Sequence, residues 1–519
     1  MSIYVFSLLV GYELSGVDVA LARRNKYFKK SNEMIKYIFT ELPSLIYIDR
    51  YKKLGIQLNE MMSVHLKLSN VDDISGDYLV EQKIMELKET MGIDKVVSKE
   101  KEITLYKNGN RVAVLILKED TRFFSTIYFY ERERLIGEEF YTDRLLYIKH
   151  YITSSYNGYL YAKLKRTTFL DEKGRVTCEC LHEENDEKYI YPNGKCLSKY
   201  ELIENFIVDL KLKEEDLVVI DRPSYMNFVQ PLLQHKNNAK LITFLHSGHY
   251  YKRGESPDAL FMNYEYYGWF RYSKYIDVVI VSTEEQKIDL IEKCRMYGCY
   301  VPKIEVIPVS GLDEVKYPQE KRQPYSLITV SRIDKRKNIP WIIKSVIEAK
   351  KILPEIVLDI YGDGDAGYIN SLKDYLNEKE ATSFIRFRGK ADVNELYKSY
   401  EVYITASLWE TLGLSCMEAV GSGNAMIGLD VRYGNRLFIK NNINGKLVDF
   451  NIDDIAKEDI ESITIEKMKE AILDVFEDKE RLISFQNNSY IIAKEFMDEQ
   501  IEQKWLKLLN EFIAEDVLL

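Results

Sequence analysis

Five short runs of mostly apolar residues recur through the C-terminal half of this chain, at Ser326 to Ser331, Val357 to Tyr361, Phe384 to Phe387, Val402 to Ala406 and Met426 to Leu429. Each is apolar along its length rather than at alternate positions, which suits a strand buried on both faces of a parallel sheet. The segments between them have the length of a helix that crosses back over the sheet in the usual right-handed sense. A chain written this way predicts a doubly wound α/β domain whose ligand crevice opens at the C-terminal ends of the strands. The loops at that edge therefore carry the argument about function.

After the first run comes Arg332-Ile333-Asp334-Lys335-Arg336-Lys337-Asn338, after the second Gly362-Asp363-Gly364-Asp365, and after the fourth Trp409-Glu410-Thr411-Leu412-Gly413-Leu414-Ser415-Cys416-Met417-Glu418-Ala419. The last stretch reads as strand, turn and helix, with Glu410 in the loop and Glu418 about a turn into a helix that stops at Gly421-Ser422-Gly423. Unsatisfied N–H groups at such a helix start favour polar and anionic groups. Together with the cations of the first loop they can hold a diphosphate without a metal ion. Two glutamates eight positions apart, or Lys335-Arg336-Lys337 alone, would be solvated charge. Their shared position at one sheet edge favours the ligand reading.

The N-terminus repeats the theme. Ile3 to Val10 predicts a buried parallel strand, followed by the Gly11 turn and a helix with Val17, Ala20, Leu21 and Phe28 on one face. Ser15 and Asp18 have capping-box spacing, which starts the helix at Ser15-Gly16. The basic run Arg23, Arg24, Lys26, Lys29, Lys30 reads as that helix's solvated face, with a membrane-surface or anionic-acceptor patch as the second reading. From Lys67 to Cys196 the texture changes to short Tyr-, Phe-, Ile- and Val-rich segments between turn signals such as Asn108-Gly109 and Asn193-Gly194. That predicts an antiparallel β-meander, with strands at Arg111 to Leu117, Phe123 to Tyr130, Tyr159 to Phe169 and Val176 to Leu181. The α/β alternation then resumes, and the strand Lys240 to Leu245 delivers His246-Ser247-Gly248-His249 to its C-terminal end. A hydrogen-bonding or proton-handling role for these histidines stands level with a purely structural one. The final helix carries Ile501, Trp505, Leu508, Leu509 and Phe512 at helical spacing, a packing face.

The expected domains are 1–66 with 197–313 (Rossmann-like, acceptor side), 67–196 (inserted antiparallel β-domain), 314–495 (Rossmann-like, nucleotide-sugar side) and 496–519 (a packing helix). A length of 519 residues agrees with several domains. The net charge of −10 argues against a general nucleic-acid binder. No apolar segment is long enough to cross a bilayer, so a cytoplasmic protein is expected. The six cysteines are scattered without metal-ligand spacing, and no metal is expected.

Arg332 and Lys337 after one strand, with Glu410 and Glu418 after another, resemble the retaining glycosyltransferases of family 4, which have the GT-B fold: two Rossmann-like domains. The stretches Leu358-Asp359-Ile360-Tyr361-Gly362, Glu418-Ala419-Val420-Gly421-Ser422-Gly423 and Gly428-Leu429-Asp430-Val431-Arg432-Tyr433-Gly434-Asn435 are more specifically similar to the bacterial accessory-Sec glycosyltransferases. Ser15-Gly16-Val17-Asp18 and the inserted β-domain match them too. Those enzymes begin O-glycosylation of serine-rich-repeat adhesins in the cytoplasm, before export.

The resemblance implies a role for each matching residue. Glu410 and the backbone of Thr411, Leu412, Gly413 and Leu414 would contact the donor sugar, and Glu418 the ribose. Arg332 and Lys337 would bind the pyrophosphate, while Ser15 and Gly16, with Val17 and Asp18 behind them, would close over it. His246 would lie near the transferred sugar with His249 as neighbour, and Gly389, Lys390 and Ala391 would line the uracil pocket. The donor would be a UDP-sugar and the acceptor a serine-rich protein, with no cofactor or metal. Thr411 stands where those enzymes usually carry glycine, which leaves the sugar open between N-acetylglucosamine and glucose. A homo-oligomer or a complex with a homologous co-activator subunit is expected, as is peripheral association with the membrane. Two alternatives are a teichoic-acid (polyol-phosphate) glycosyltransferase and a non-catalytic partner or chaperone.

Overall fold

The computed structural model describes residues 1–7, 16–42, 48, 51–71, 76–184, 186–221, 228–252, 260–263, 266–392, 395–455 and 457–517. Two compact units partition the chain, Met1–Ile242 with Phe512–Leu519, and Thr243–Glu511.

The first unit opens with β1 (Ser2–Ser7), α1 (Gly16–Lys29), β2 (Met34–Phe39) and β3 (Met61–Ser63). β1 pairs in parallel with β2, and β2 with β3. Ile3, Val5 and Phe6 are fully buried, as a strand covered on both faces requires. Leu8 to Val10, expected at its end, and the turn from Gly11 to Ser15 lie outside the described residues.

The meander follows as β4 (Tyr78–Leu79), α2 (Val80–Met91), β5 (Lys95–Ser98), β6 (Glu102–Lys107), β7 (Asn110–Leu117), β8 (Phe123–Glu131), β9 (Arg134–Tyr141), β10 (Leu145–Tyr156), β11 (Tyr159–Leu170), β12 (Val176–His182), β13 (Glu187–Ile190) and β14 (Cys196–Ser198). From β5 onward each strand pairs antiparallel with the next, and β4 adds to β8, giving eleven strands. The four strands expected here are present to within one residue at either end. Asn108-Gly109 and Asn157-Gly158 turn with φ of 50° and 77°, and 49° and 82°, the left-handed pair that two-residue hairpins need. Arg132-Glu133 does the same at 49° and 62° without glycine, so no turn signal marks it. β10 pairs with β9 only as far as His150, and β11 with β12 only from Arg166. Residues 151–164 therefore pair only with each other and form a two-stranded arm, with Tyr156, Tyr159 and Leu160 exposed at its tip.

α3 (Lys199–Leu210), started by a Ser198/Glu201 capping box, leads to β15 (Leu217–Ile220), which pairs in parallel with β1. Here one expectation is corrected. Arg24 is not on a solvated face: it is buried and ion-paired with Asp221, just after β15. It stands four residues after Ala20 and four before Phe28, on the stripe of α1 that faces the core. The burial is tolerable because the charge is paired.

The second unit starts within β16 (Lys240–Phe244) and continues with the hairpin β17 (Tyr250–Lys252) and β18 (Leu260–Met262). β19 (Val278–Val281), α4 (Glu284–Met296, capped by Thr283) and β20 (Lys303–Val306) form a parallel crossover. Then come β21 (Gln323–Val330), α5 (Ile339–Lys350), β22 (Val357–Tyr361), α6 (Ala366–Glu378), β23 (Ile385–Gly389), β24 (Tyr400–Thr405), α7 (Leu414–Gly421), β25 (Ala425–Leu429) and β26 (Gly445–Val448). These six strands are all parallel, in the order β23-β22-β21-β24-β25-β26. The order reverses between β21 and β24, so the crevice opens between the loops that follow those two strands.

Alternate residues of β24 and β25 serve opposite faces. Val402, Ile404, Ile427 and Leu429 pack with α5 and α8 (Ile460–Glu477), whereas Tyr403 and Met426 pack with α7. Both faces are covered, which is why the strands read as continuous apolar runs. β26 and α9 (Lys479–Ala493) carry no signal that the sequence reading used. In α10 (Asp498–Val517) Ile501, Trp505, Leu508, Leu509 and Phe512 are all buried. Among the described residues no helix is long and apolar enough to cross a membrane.

Candidate active site

The loop after β21 is shaped by its own residues. Asp334 caps a 3-10 turn at Lys335–Lys337 by accepting from the Arg336 N–H (2.9 Å), and its carboxylate also takes the Arg336 guanidinium at 3.0 Å. Burial pushes the Asp334 carboxyl up, but the Arg336 hydrogen bonds and the nearby guanidinium charges outweigh it and hold the group below its ordinary value. Asn338, in left-handed conformation, ends the turn and donates through Nδ2 to the Ala406 carbonyl at 3.1 Å. This bond and that from the Leu408 N–H to the Arg336 carbonyl (3.3 Å) tie the loop after β21 to the segment after β24.

Across that tie, Lys337 Nζ donates to Glu410 Oε1 at 2.5 Å, and both side chains are less than one-fifth exposed. The pair sits where the strand order reverses. The Glu410 carbonyl is held in turn by the N–H groups of Tyr433 and Gly434, each at 2.8 Å. Gly434 is required there, because a Cβ would lie 2.0 Å from the Leu412 carbonyl oxygen. The loop after β22 lies against the loop after β21, with Ile333 N–H donating to the Asp363 carbonyl at 2.8 Å. Gly362 allows this contact, since at φ +137° an added Cβ would meet Ser331 O at 1.8 Å.

Arg332 extends outward, 70% exposed, with its guanidinium 3.7 Å from Asp334. Leu412 is buried in the core under α7, Thr411 and Leu414 are half-buried, and Gly413 starts that helix. One oxygen of Glu418 accepts from the fully buried Tyr397 hydroxyl at 2.8 Å. Cys416 beside it is no nucleophile, because burial pushes its thiol up to about 12. Gly389, Lys390 and Ala391 are exposed at the end of β23, and Gly389 O accepts from Gly362 N–H at 2.9 Å.

The histidine loop after β16 is pinned at several points. Ser247 N–H donates to the Tyr266 hydroxyl (2.8 Å), and Asn263 Nδ2 donates to Gly248 O (2.9 Å). Gly248 sits directly against Trp409, the residue before Glu410: a Cβ on it would be 2.2 Å from the indole Nε1. His246 stacks on Phe244 with centroids 5.3 Å apart. His249 is fully buried against Tyr250 and Phe270, its ring nitrogens without hydrogen bonds and Nε2 3.9 Å from Asp289. Burial lowers its pKa to about 4, so the imidazole is neutral. Gly16, Val17 and Asp18 begin α1 in the other unit, with Asp18 buried, and Ser15 lies outside the described residues. Among the described residues no three His, Cys, Asp or Glu side chains converge as metal ligands.

Residues 313–489 match the family described as Glycosyl transferases group 1. Over 516 residues, 98% of this chain and 99% of the relative, the sequence is 30% identical to the UDP-N-acetylglucosamine–peptide N-acetylglucosaminyltransferase GtfA subunit of Streptococcus gordonii. The chain belongs to the GtfA family of glycosyltransferases. Among solved structures, the pneumococcal O-GlcNAc transferase GtfA in complex with UDP and GlcNAc is 29% identical, covers 99% of both chains and has a TM-score of 0.85. A GtfA/B complex gives 0.84 at 29% identity and the same coverage. The GT-B expectation thus holds.

Several residues of this GtfA-family chain that shape the site have no individual role in the sequence analysis, although Tyr433, Gly434 and Asn338 lie within stretches quoted there. Tyr433 and Gly434 hold Glu410, Tyr397 holds Glu418, and Asn338 joins two loops. Asp289 is another, since it accepts from the hydroxyls of Tyr250 (3.0 Å) and Tyr433. A signal did exist for Asp289: Gln286, Asp289, Leu290 and Lys293 form the inward stripe of α4, and a carboxylate on such a stripe needs partners.

Proposed function

We propose that this enzyme transfers N-acetylglucosamine from UDP-N-acetylglucosamine to Ser or Thr hydroxyls of a serine-rich protein, with retention at the anomeric carbon. The observation that carries the proposal is the Lys337–Glu410 pair, brought from two sequence-distant loops to the topological switch point of a GtfA-family chain. The S. gordonii relative is named for this donor and a peptide acceptor, and the pneumococcal structure holds UDP and GlcNAc. Both favour N-acetylglucosamine over glucose.

In this reading Arg332 and Lys337 bind the pyrophosphate. They neutralise the charge that develops as the bond from the anomeric carbon to phosphate oxygen breaks. Glu410 and the Thr411–Leu414 backbone orient the sugar, Glu418 the ribose, and Gly389 to Ala391 the base. His246 lies at the sugar. The acceptor oxygen bonds to the anomeric carbon on the face the phosphate leaves, and its proton passes to that phosphate oxygen, giving UDP. No metal or cofactor enters.

The tyrosine-tipped arm at 151–164 makes the meander our candidate for holding the acceptor or a homologous partner subunit, a reading supported by the GtfA/B complex of relatives. We place the reaction in the cytoplasm at the inner face of the membrane, before accessory-Sec export of an adhesin.

The test is mass spectrometry and NMR of a serine-rich peptide after incubation with a panel of UDP-sugars, with and without a homologous partner. An α-linked N-acetylglucosamine on Ser or Thr is expected. An inverted linkage, or modification of polyol-phosphate polymer instead of peptide, would overturn the proposal.

A further inference from the structure

Asp289 and Asp359 are both buried carboxylates of the second unit, and they differ in what they hold. Asp359 in β22 takes Arg386 (2.7 and 3.1 Å) and the Tyr400 hydroxyl (2.6 Å), all within the parallel sheet. Asp289, on α4, lies outside that sheet and reaches the β17 hairpin and the loop that follows β25. Its Oδ1 accepts from Tyr250 at 3.0 Å, its Oδ2 accepts from the Tyr433 hydroxyl, and Arg432 Nη1 lies 3.4 Å from both oxygens. Arg432 also donates to Tyr250 and covers its ring at 5.0 Å. One turn earlier on α4, Glu285 takes Arg436 at 2.6 Å. The segment 432–436 is therefore gripped by side chains of a helix that lies more than a hundred residues before it in the chain.

That segment does something specific. The N–H groups of Tyr433 and Gly434 hold the Glu410 carbonyl, and Gly434 is flush against Leu412. Displacing Tyr433 moves the backbone on which Glu410 rests. On the other side of the same loop, Trp409 is wedged against Gly248, whose carbonyl Asn263 holds. With one side fixed by van der Waals contact, the hydrogen-bonded side at Asp289 sets the remaining freedom of the loop.

We infer that Asp289 is a positioning residue for donor binding: through Tyr433 it fixes the Glu410–Leu414 loop in the geometry that receives the sugar nucleotide. Asp289 touches no substrate. It acts because a carboxylate can accept from two phenols and a guanidinium at once, whereas an amide or a phenyl ring in either partner cannot keep that set. The inference rests on the reading of Glu410 as a donor ligand.

Calorimetric binding of UDP-N-acetylglucosamine to the full chain tests it, with thermal unfolding alongside. Asp289→Asn and Tyr433→Phe are each expected to weaken binding about tenfold, the scale of one lost hydrogen bond to a charged group. The double variant should lose little more than either single one, because both break the same route. Asp359→Asn is the control for a merely structural loss: its melting temperature should fall as much while binding stays normal. Wild-type affinity in both Asp289→Asn and Tyr433→Phe would overturn the inference, as would weakening no greater than that of Asp359→Asn at equal loss of stability. Normal binding by Glu410→Gln would instead remove the donor-site reading and the inference with it, so the two failures are separable.

Discussion

The parallel sheet of β21 to β26 and the meander of β5 to β14 draw on the same residue types, yet they deliver their loops differently. In the meander each strand pairs with its sequence neighbour, so every loop joins two adjacent strands. In the parallel sheet each strand is followed by a crossover, and residues 332–338, 362–365, 409–414 and 430–434 are collected at one edge. Local pairing builds surface, and crossover pairing builds a site. The ion pair of Lys337 with Glu410, separated by 73 residues, is possible only in the second arrangement.

The largest expected difference is in turnover. Arg332→Ala or Glu410→Ala should lower it by about two to three orders of magnitude, the usual cost of removing charge stabilisation or donor orientation in a transferase, with the melting temperature preserved. UDP release by the purified variants measures this. Replacing Lys163, a half-exposed lysine of the meander arm, should leave calorimetric binding of UDP-N-acetylglucosamine intact. If a meander substitution abolished it, the division of labour between the regions would be wrong.

Next is the tolerance of tight loops. Gly434→Ala places a methyl 2.0 Å from the Leu412 carbonyl, where neither backbone can yield without moving Glu410. Overpacking of this kind costs about 1–3 kcal/mol, so a lowered midpoint in urea unfolding and weaker donor binding should appear together.

These contrasts also explain what could be read without coordinates. The meander strands and the parallel strands were legible because their periodicity and turn residues are local facts, and Asn108-Gly109 is one of them. Lys337 and Glu410 were legible as occupants of one sheet edge, because strand order in α/β folds is restricted. Arg24 was misread because a run of basic residues hides which one faces inward. Asp289 was marked only as a carboxylate on the inward stripe of α4, and its partners could not be read, since Tyr250 and Tyr433 lie 39 and 144 positions away. Arg132-Glu133 shows the same limit at a turn: its left-handed backbone is imposed by the flanking strands, not by glycine.

Two buried neutral histidines lie outside both regions. His65 packs under the meander, bonded to the Tyr189 hydroxyl at 2.8 Å, and His249 packs beside Asp289. Burial lowers both to about 4; Lys199 and His182 depress His65 further against Glu187, while Arg432 and Lys293 depress His249 against Asp289. An imidazole that gains its proton more easily in the unfolded chain supports the fold fully above about 6.5 and loses that support as pH falls toward 4. Unfolding stability should therefore drop between pH 6.5 and 4, by up to about 3 kcal/mol for each group. Flat stability across that window would mean that both rings reach solvent.

The smallest effect is expected at the tip of the arm. Gly158 has φ +82°, but an added Cβ would meet nothing within 4 Å, so Gly158→Ala costs only the left-handed backbone penalty of about 1 kcal/mol. Because residues 151–164 pair only with each other, that cost should appear as faster amide exchange confined to the arm, with the melting temperature almost unchanged. The comparison with Gly434→Ala is sharp because both substitutions add the same methyl group. One meets open space in a locally paired hairpin, and the other meets a carbonyl brought from a distant loop. If Gly158→Ala instead destabilised the whole chain, the arm would have to be coupled to the core. The meander could then no longer be treated as a surface built from local pairs.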